Sequence, residues 1–355
     1  MKFPETEPQE REGRPEWSEV PKDLVQDIEK ILNQKIIKGE IVWGGYSPTA
    51  AFIITCKTGQ KFFIKGTHPE QTAHGAEALR QEIAIYKDVK FLKTISPEYL
   101  GMVQYGGEDD WLLGVWEYID NADAALPWTM KKVKSVLKLL SDMHIKTKEN
   151  KLYEIVPDGL QINFISNLVT GQGGWLRLED EPEVFNNFRT LFTDEEKASK
   201  WLLHSLPILC EYQRKAEVLY NDMPQNLIHF DLRSDNILFR ENNQPVLLDW
   251  PNACWAPIAY DLVLFLISVS GESGLDINEA LEYYSEISGY KVDKEHLKTV
   301  LAVSTGYFAT NAYRGVPDKL PRLRWIQKLC LYAGLHWAEE VLDLPKIPDF
   351  KTDNI

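Results

Sequence analysis

Apolar positions along this chain change texture once. Up to about residue 119 they come mostly as short strand-like runs, and from residue 130 onward as stripes at helical spacing. Ahead of the first runs, Leu24, Val25, Ile28, Ile31 and Leu32 recur with a helical period behind Pro21, which predicts an opening helix. Ile41-Val42-Trp43 reads as a strand that leads into Gly44-Gly45-Tyr46-Ser47-Pro48-Thr49. Residues 52–55 and 61–65 then form a hairpin about a turn at Thr58-Gly59, and a two-residue turn there pairs Phe52 with Lys65. A helix is expected over residues 75–89, with Leu79, Ile83 and Tyr86 on one face, and strands over 102–105 and 111–118.

Past Ile119, residues 130–144 carry Val133, Val136, Leu137, Leu140 and Met143 on one stripe. Further helices are expected at about 197–220, 261–269, 277–287, 293–312 and 320–342. Residues 150–195, rich in Gly, Asn and charge, show no clear period. The pattern predicts an α+β protein: a polar N-terminal tail over 1–20, a β-rich lobe over 21–119 and a mainly helical lobe over 120–355. No internal repeat is present.

Composition narrows the class. With 44% hydrophobic residues the 355-residue chain can bury a large core, which excludes wholesale disorder. A net charge of −14 without a long Lys/Arg run argues against a nucleic-acid partner, because phosphate contacts dominate such binding. The acidity suits a cationic small molecule and equally suits plain solubility. The four cysteines, at 56, 210, 254 and 330, form no Cys-x-x-Cys pair, and the seven histidines lack metal-ligand spacing. Reduced, buried thiols in a cytoplasmic protein are expected. The charged first residues do not read as a signal peptide, and runs such as 262–267 are too short to span a bilayer, so no membrane partner is expected.

The chemistry concentrates in His229-Phe230-Asp231-Leu232-Arg233-Ser234-Asp235-Asn236, followed by Val246-Leu247-Leu248-Asp249. The runs 237–239 and 246–248 flank the turn-rich Glu241-Asn242-Asn243-Gln244. A hairpin pairing 238 with 247 places Asn236 beside Asp249 at its open end. An amide oxygen and a carboxylate there make a hard-cation site suited to magnesium, completed by nucleotide phosphates. Asp231 is the candidate base for an incoming hydroxyl, and Arg233 the candidate to neutralise charge on the transferred group. Singly, each of these residues also reads as a turn former; jointly, in this order, they point to phosphoryl transfer.

In the N-terminal part, Gly44, Gly45, Tyr46 and Ser47 form a candidate phosphate-covering loop, although a glycine-rich hairpin turn reads the same way. Lys65, on a strand beside the one leaving that loop, is placed to reach nucleotide phosphates. Buried among Phe62, Phe63 and Ile64, it needs a counter-charge, for which Glu82 and Glu77 are the rivals.

The string from Leu227 to Leu238, with Leu248-Asp249-Trp250 and Tyr260-Asp261-Leu262, resembles the aminoglycoside phosphotransferase and choline kinase-like family. The resemblance implies a two-lobed protein kinase-like fold, with ATP or GTP as co-substrate and Mg2+ as cofactor. It implies that Asp231 orients or deprotonates the acceptor hydroxyl, that Asn236 and Asp249 bind the metal, and that His229 is structural. Asp261 would brace the catalytic loop, and Glu82 would partner Lys65. The backbone at Glu117 and Ile119 would hold the base. The family usually has Gly where this chain has Phe230, a costly exchange if the position needs positive φ. Only 11 residues separate Asp249 from Asp261, and no Ala-Pro-Glu motif follows. A small-molecule alcohol is therefore the expected acceptor. Aminoglycosides are the nearest named class, choline-, sugar- and macrolide-type alcohols are alternatives, and an inactive nucleotide-binding regulator is the rival from another class. The C-terminal helices offer acids (Glu272, Asp276, Glu279, Glu282) and aromatics (Tyr283, Tyr307, Phe308, Tyr313, Trp325, Trp337) from which an acceptor pocket could be built, although at helical spacing most of these read as core or solvated face, and none is assigned to the substrate.

Overall fold

The computed structural model describes residues 2–69, 74–107, 110–149 and 173–352. Helix α1 (Lys22–Leu32) is followed by β1 (Ile36–Ile41), β2 (Ala50–Cys56), β3 (Lys61–Thr67), α2 (His74–Asp88), β4 (Tyr99–Tyr105) and β5 (Trp111–Glu117). The five strands form one antiparallel sheet in the order β1-β2-β3-β5-β4. One face, with Phe52, Ile54, Ile64, Leu113 and Val115, packs with Leu24 and Ile28 of α1. The other face, through Leu112 and Trp116, joins Leu79, Ile83 and Tyr86 of α2 in the main core. Covered on both faces, β5 reads as an unbroken apolar run from Trp111 to Trp116. The strand expected at 41–43 instead spans Ile36–Ile41; Val42 and Trp43 lie beyond it.

The C-terminal part is helical around two small β pairings. Helix α3 (Met130–Glu149) buries all five residues of its expected stripe. Then come α4 (Trp175–Asp180), α5 (Pro182–Arg189) and α6 (Glu195–Leu219). The structure thus adds two short helices within 173–195, where the sequence showed no period; residues 150–172 lie outside the described ones. Strand β7 (Gln225–Ile228) pairs with β10 (Cys254–Pro257), and β6 (Asp123–Ala124), β8 (Ile237–Phe239) and β9 (Pro245–Leu247) form a three-stranded sheet. Helices α7 (Ile258–Ser273), α8 (Ile277–Ser288), α9 (Lys294–Ala309) and α10 (Leu323–Val341) complete the chain. Helix α7 is apolar and buried nearly all round, as the central helix of this part must be.

The first twenty residues are not a free tail. Phe3 is buried against Trp325 and Tyr332, and its N–H donates to Gly271 O at 2.8 Å. The guanidinium of Arg322 binds Glu7 (2.7 Å) and the fully buried Glu12 (2.9 Å), which ties this segment to the start of α10. All four cysteines are free and buried. No described helix is long and apolar enough to cross a membrane.

Candidate active site

The catalytic-loop residues are set by the pairing of β7 with β10. That pairing brings the first turn of α7 under the segment leaving β7. Asp261, fully buried there, accepts the N–H of His229 (2.9 Å) and of Phe230 (2.7 Å) on its two carboxylate oxygens. The brace implied by the resemblance is therefore made of two charge-assisted hydrogen bonds. His229 reaches Leu248 O through Nε2 (2.8 Å) and packs on Trp250, tying the loop to the hairpin that follows.

Phe230 does sit at φ 68°, the left-handed region where glycine is usual. Its ring is 5% exposed and packs edge-on against Tyr260. Left-handed geometry costs a bulky residue about 1–2 kcal/mol, whereas deleting a buried Phe side chain costs about 3–5 kcal/mol. Packing outweighs strain, so Phe230→Gly is expected to lower stability by roughly 2 kcal/mol in chemical denaturation. A more stable glycine variant would show that strain dominates.

Asp231, Arg233, Asn236 and Asp249 converge, but not in the expected register. In the hairpin Leu238 pairs with Val246 and Ile237 with Leu247, so Asn236 faces Leu248, whose N–H donates to Asn236 O at 2.9 Å. The turn holds three residues between Arg240 and Gln244, with Asn243 left-handed at φ 59°, where the expected register implied an even number. Asp249 lies one residue past the expected pairing and is itself left-handed, at φ 65°. The Asn236 amide donates to Asp231 O (2.8 Å) and Oδ2 (3.3 Å), so its Oδ1 must face away from Asp231. No described donor occupies that oxygen.

Arg233 bridges two acids. Nε and Nη2 bind the carboxylate of Asp235, each at 3.1 Å, and Nη1 binds Asp231. Burial pushes the Asp231 carboxyl up, and the Arg233 charge opposes this without cancelling it. The result is a carboxylate more basic than an ordinary aspartate, which suits a proton acceptor. Asp235, which the motif did not single out, fixes the guanidinium; its sequence signal was only an acid two residues after Arg233.

Lys65 arrives from β3. It pairs with Ala51 rather than Phe52, because this turn too holds three residues, Lys57-Thr58-Gly59, with Gly59 at φ 87° between the paired Cys56 and Gln60. Its ammonium binds Glu82 at 2.8 Å and also binds Asp249. Glu77 is thereby excluded as the partner. Burial pulls the Lys65 ammonium down, but Asp249 and Glu82 more than offset this and hold it well above its ordinary value. Burial raises the Asp249 carboxyl, yet the Lys65 charge and hydrogen bond bring it below the usual range. The second oxygen of Glu82 accepts the Trp250 N–H (3.1 Å), so the acid clamps lysine and hairpin together.

The glycine loop lies over this cluster. A Cβ built on Gly45, at φ 79°, would stand 3.8 Å from Asp235 Oδ2. Tyr46 carries the guanidinium groups of Arg233 (5.2 Å) and Arg322 (4.9 Å) on its ring. Arg14, from the supposed tail, donates to Ser47 O (3.0 Å) and to Val42 O and Gly44 O, while Arg322 donates to Gly45 O. These two arginines shape the loop and were invisible in the sequence, since nothing local marks contacts across such separations.

Glu117 ends β5 opposite Phe62, three residues before Lys65 on β3. Its N–H is committed to Glu98 O at 2.8 Å, so only its carbonyl is left to meet a base. Ile119, just beyond the strand, is buried. On the other flank, Glu272 accepts Trp128 Nε1–H at 2.6 Å and binds Ser234 beside the catalytic loop. Burial pushes its carboxyl up to about 7, against those hydrogen bonds. The folded state then holds a proton that the unfolded chain releases near pH 4.5, so stability falls as pH rises from there through about 7. Glu272→Gln is expected to remove this slope, worth at most about 3 kcal/mol, and to melt higher than the parent above neutrality. Parallel melting curves across that window would refute the assignment.

The family profile described as "Phosphotransferase enzyme family" matches residues 38–296, well over half the chain. No curated protein matches at a significant level. Among solved structures, an aminoglycoside phosphotransferase from Alicyclobacillus acidocaldarius aligns with TM-score 0.53 and 14% identity, over 87% of this chain and 93% of that one. An aminoglycoside 2′-phosphotransferase solved with GDP gives 0.57 and 16%, over 90% and 95%. The choline kinase LicA from Streptococcus pneumoniae gives 0.51 and 13%, over 88% and 98%. At such identities the likeness establishes the kinase-like fold alone. The profile match establishes more: this chain belongs to the phosphotransferase enzyme family.

Proposed function

We propose that the protein transfers the γ-phosphoryl group of ATP or GTP to the hydroxyl of a small alcohol. The observation that carries this reading is the convergence of Lys65, braced by Glu82, with Asp249 beside the Asp231–Asn236 loop. In this reading Lys65 and the loop Gly44-Gly45-Tyr46-Ser47 hold the phosphates, and the carbonyl of Glu117 with the backbone of Ile119 holds the base. Asp231 takes the acceptor proton, and Arg233, fixed by Asp235, offsets charge on the group in transit.

Asn236 Oδ1 and the Asp249 oxygen not used by Lys65 are hard donors that fit magnesium. Among the described residues no group of three His, Cys, Asp or Glu could hold a metal by itself, so phosphate oxygens must complete the shell. Magnesium bound there would neutralise the phosphates' charge. The nearest named acceptor class is the aminoglycosides, through the family; choline-, sugar- and macrolide-type alcohols remain alternatives. The test is nucleotide binding with and without magnesium, followed by a nucleotide-consumption screen over these four classes. Acceptor-stimulated consumption is expected. Nucleotide binding without stimulation by any acceptor would favour the regulatory reading.

A further inference from the structure

A cavity of about 340 Å³ opens beside Asp231, at the small end of the range for sites that enclose a drug-sized ligand. Its wall is formed largely by Phe230, Tyr260, Leu264, Tyr307, Phe308 and Ile326. Among the described lining residues, the only carboxylate is Asp231 and the only cation is Arg233. Asp231 is already engaged by Arg233 and Asn236. The acids that the C-terminal helices seemed to offer are elsewhere. Glu272 is held by Trp128 and Ser234, Asp276 caps α8 through the Asn278 N–H (2.9 Å), Glu279 pairs with Lys134 (2.8 Å), and Glu282 is exposed. Of the six aromatics named with them, only Tyr307 and Phe308 reach the cavity.

From this wall we infer that the acceptor is a neutral, largely apolar, ring-bearing alcohol rather than a polycationic sugar or a quaternary amine. The inference rests on the phosphotransferase reading for the role of Asp231 and adds the acceptor's class to it. A polyamine entering here would give up hydration for several charges and find one carboxylate among the described lining residues, already paired. A quaternary ammonium could meet the faces of Phe230, Tyr260, Tyr307 and Phe308, but it would share the cavity with the like charge of the Arg233 guanidinium. Tyr46, a further aromatic of the lining, already bears two guanidinium groups, and one of them, Arg233, is part of the wall. A neutral ring system gains from the apolar wall and presents one hydroxyl to Asp231.

The test is calorimetric binding to the full chain with ADP and magnesium present, so that no turnover is needed. The probes are a panel of neutral aromatic and alicyclic alcohols, choline and kanamycin. Saturable binding is expected for members of the neutral panel and not for the two cations. Phe308→Asp should weaken the neutral binder at least tenfold while leaving ADP affinity unchanged. Leu323→Asp is the second variant. Leu323 also lines the cavity and opens α10, where an acid is favoured, so that variant should fold, and it should weaken the same binder. Binding of choline or kanamycin without binding of the neutral panel overturns the inference, as does a neutral binder indifferent to both substitutions. With ATP then put in place of ADP, transfer to a bound cation would sink the acceptor class and keep the phosphotransferase reading. A neutral alcohol that binds in the cavity but never accepts phosphate would sink that reading and keep the cavity's preference.

Discussion

Asp231→Asn is expected to lower turnover by at least about a hundredfold, the ordinary worth of a general base, while nucleotide affinity stays within about twofold. A hundredfold corresponds to about 2.7 kcal/mol of transition-state stabilisation. The prediction has a structural basis. The carboxylate hydrogen-bonds Arg233 and Asn236 and shares no hydrogen bond or ion pair with Lys65 or the glycine loop, so nucleotide binding is expected to survive the loss of its charge. Asparagine is nearly isosteric and can still accept from Arg233, which keeps the loop in place. What it loses is the ability to take a proton. Steady-state rates at saturating nucleotide, with nucleotide binding measured separately, decide the matter. Undiminished turnover would remove Asp231 from the chemistry.

The second large effect is expected from Asp249→Ala. This carboxylate is both the partner of Lys65 and the candidate metal ligand on the far side of Asn236. Its loss should abolish the magnesium-dependent part of nucleotide binding, which titrations with and without a chelator would resolve. The lysine keeps Glu82, and Glu82 keeps the Trp250 N–H, so the variant should fold. Magnesium-dependent binding at parental strength would show that the metal site lies elsewhere.

How much of this was legible beforehand depends on how local each signal is. The stripes that became α1, α2, α3 and the later helices were readable because a helix buries a face with a 3.6-residue period. Both hairpins were found, and both registers slipped by one for the same reason. Each turn holds three residues with the last left-handed, Gly59 in one and Asn243 in the other, where the expected registers implied an even number. Lys65, on its long side chain, and Asp249 nevertheless meet at the same site. The family pattern marked Phe230 as costly only if its φ were positive; that it is positive, and the compensation by Asp261 and Tyr260, needed the three-dimensional packing. The first twenty residues misled most. Their polarity suggested a tail, but Glu12 and Arg14 are polar because they bind Arg322 and the glycine loop. The acids of the C-terminal helices read mostly as solvated face or core, and Asp276, Glu279 and Glu282 are capping, pairing and surface residues.

The central claim is that this site moves phosphate from a nucleotide to an alcohol, and phosphorus NMR of the full reaction tests it most directly. With ATP or GTP, magnesium and the acceptor panel, the account predicts a new phosphomonoester signal that grows as the γ-phosphate signal falls, and that is missing with Asp231→Asn. Nucleotide that binds and stays intact with every acceptor, or is lost only to inorganic phosphate, would contradict it.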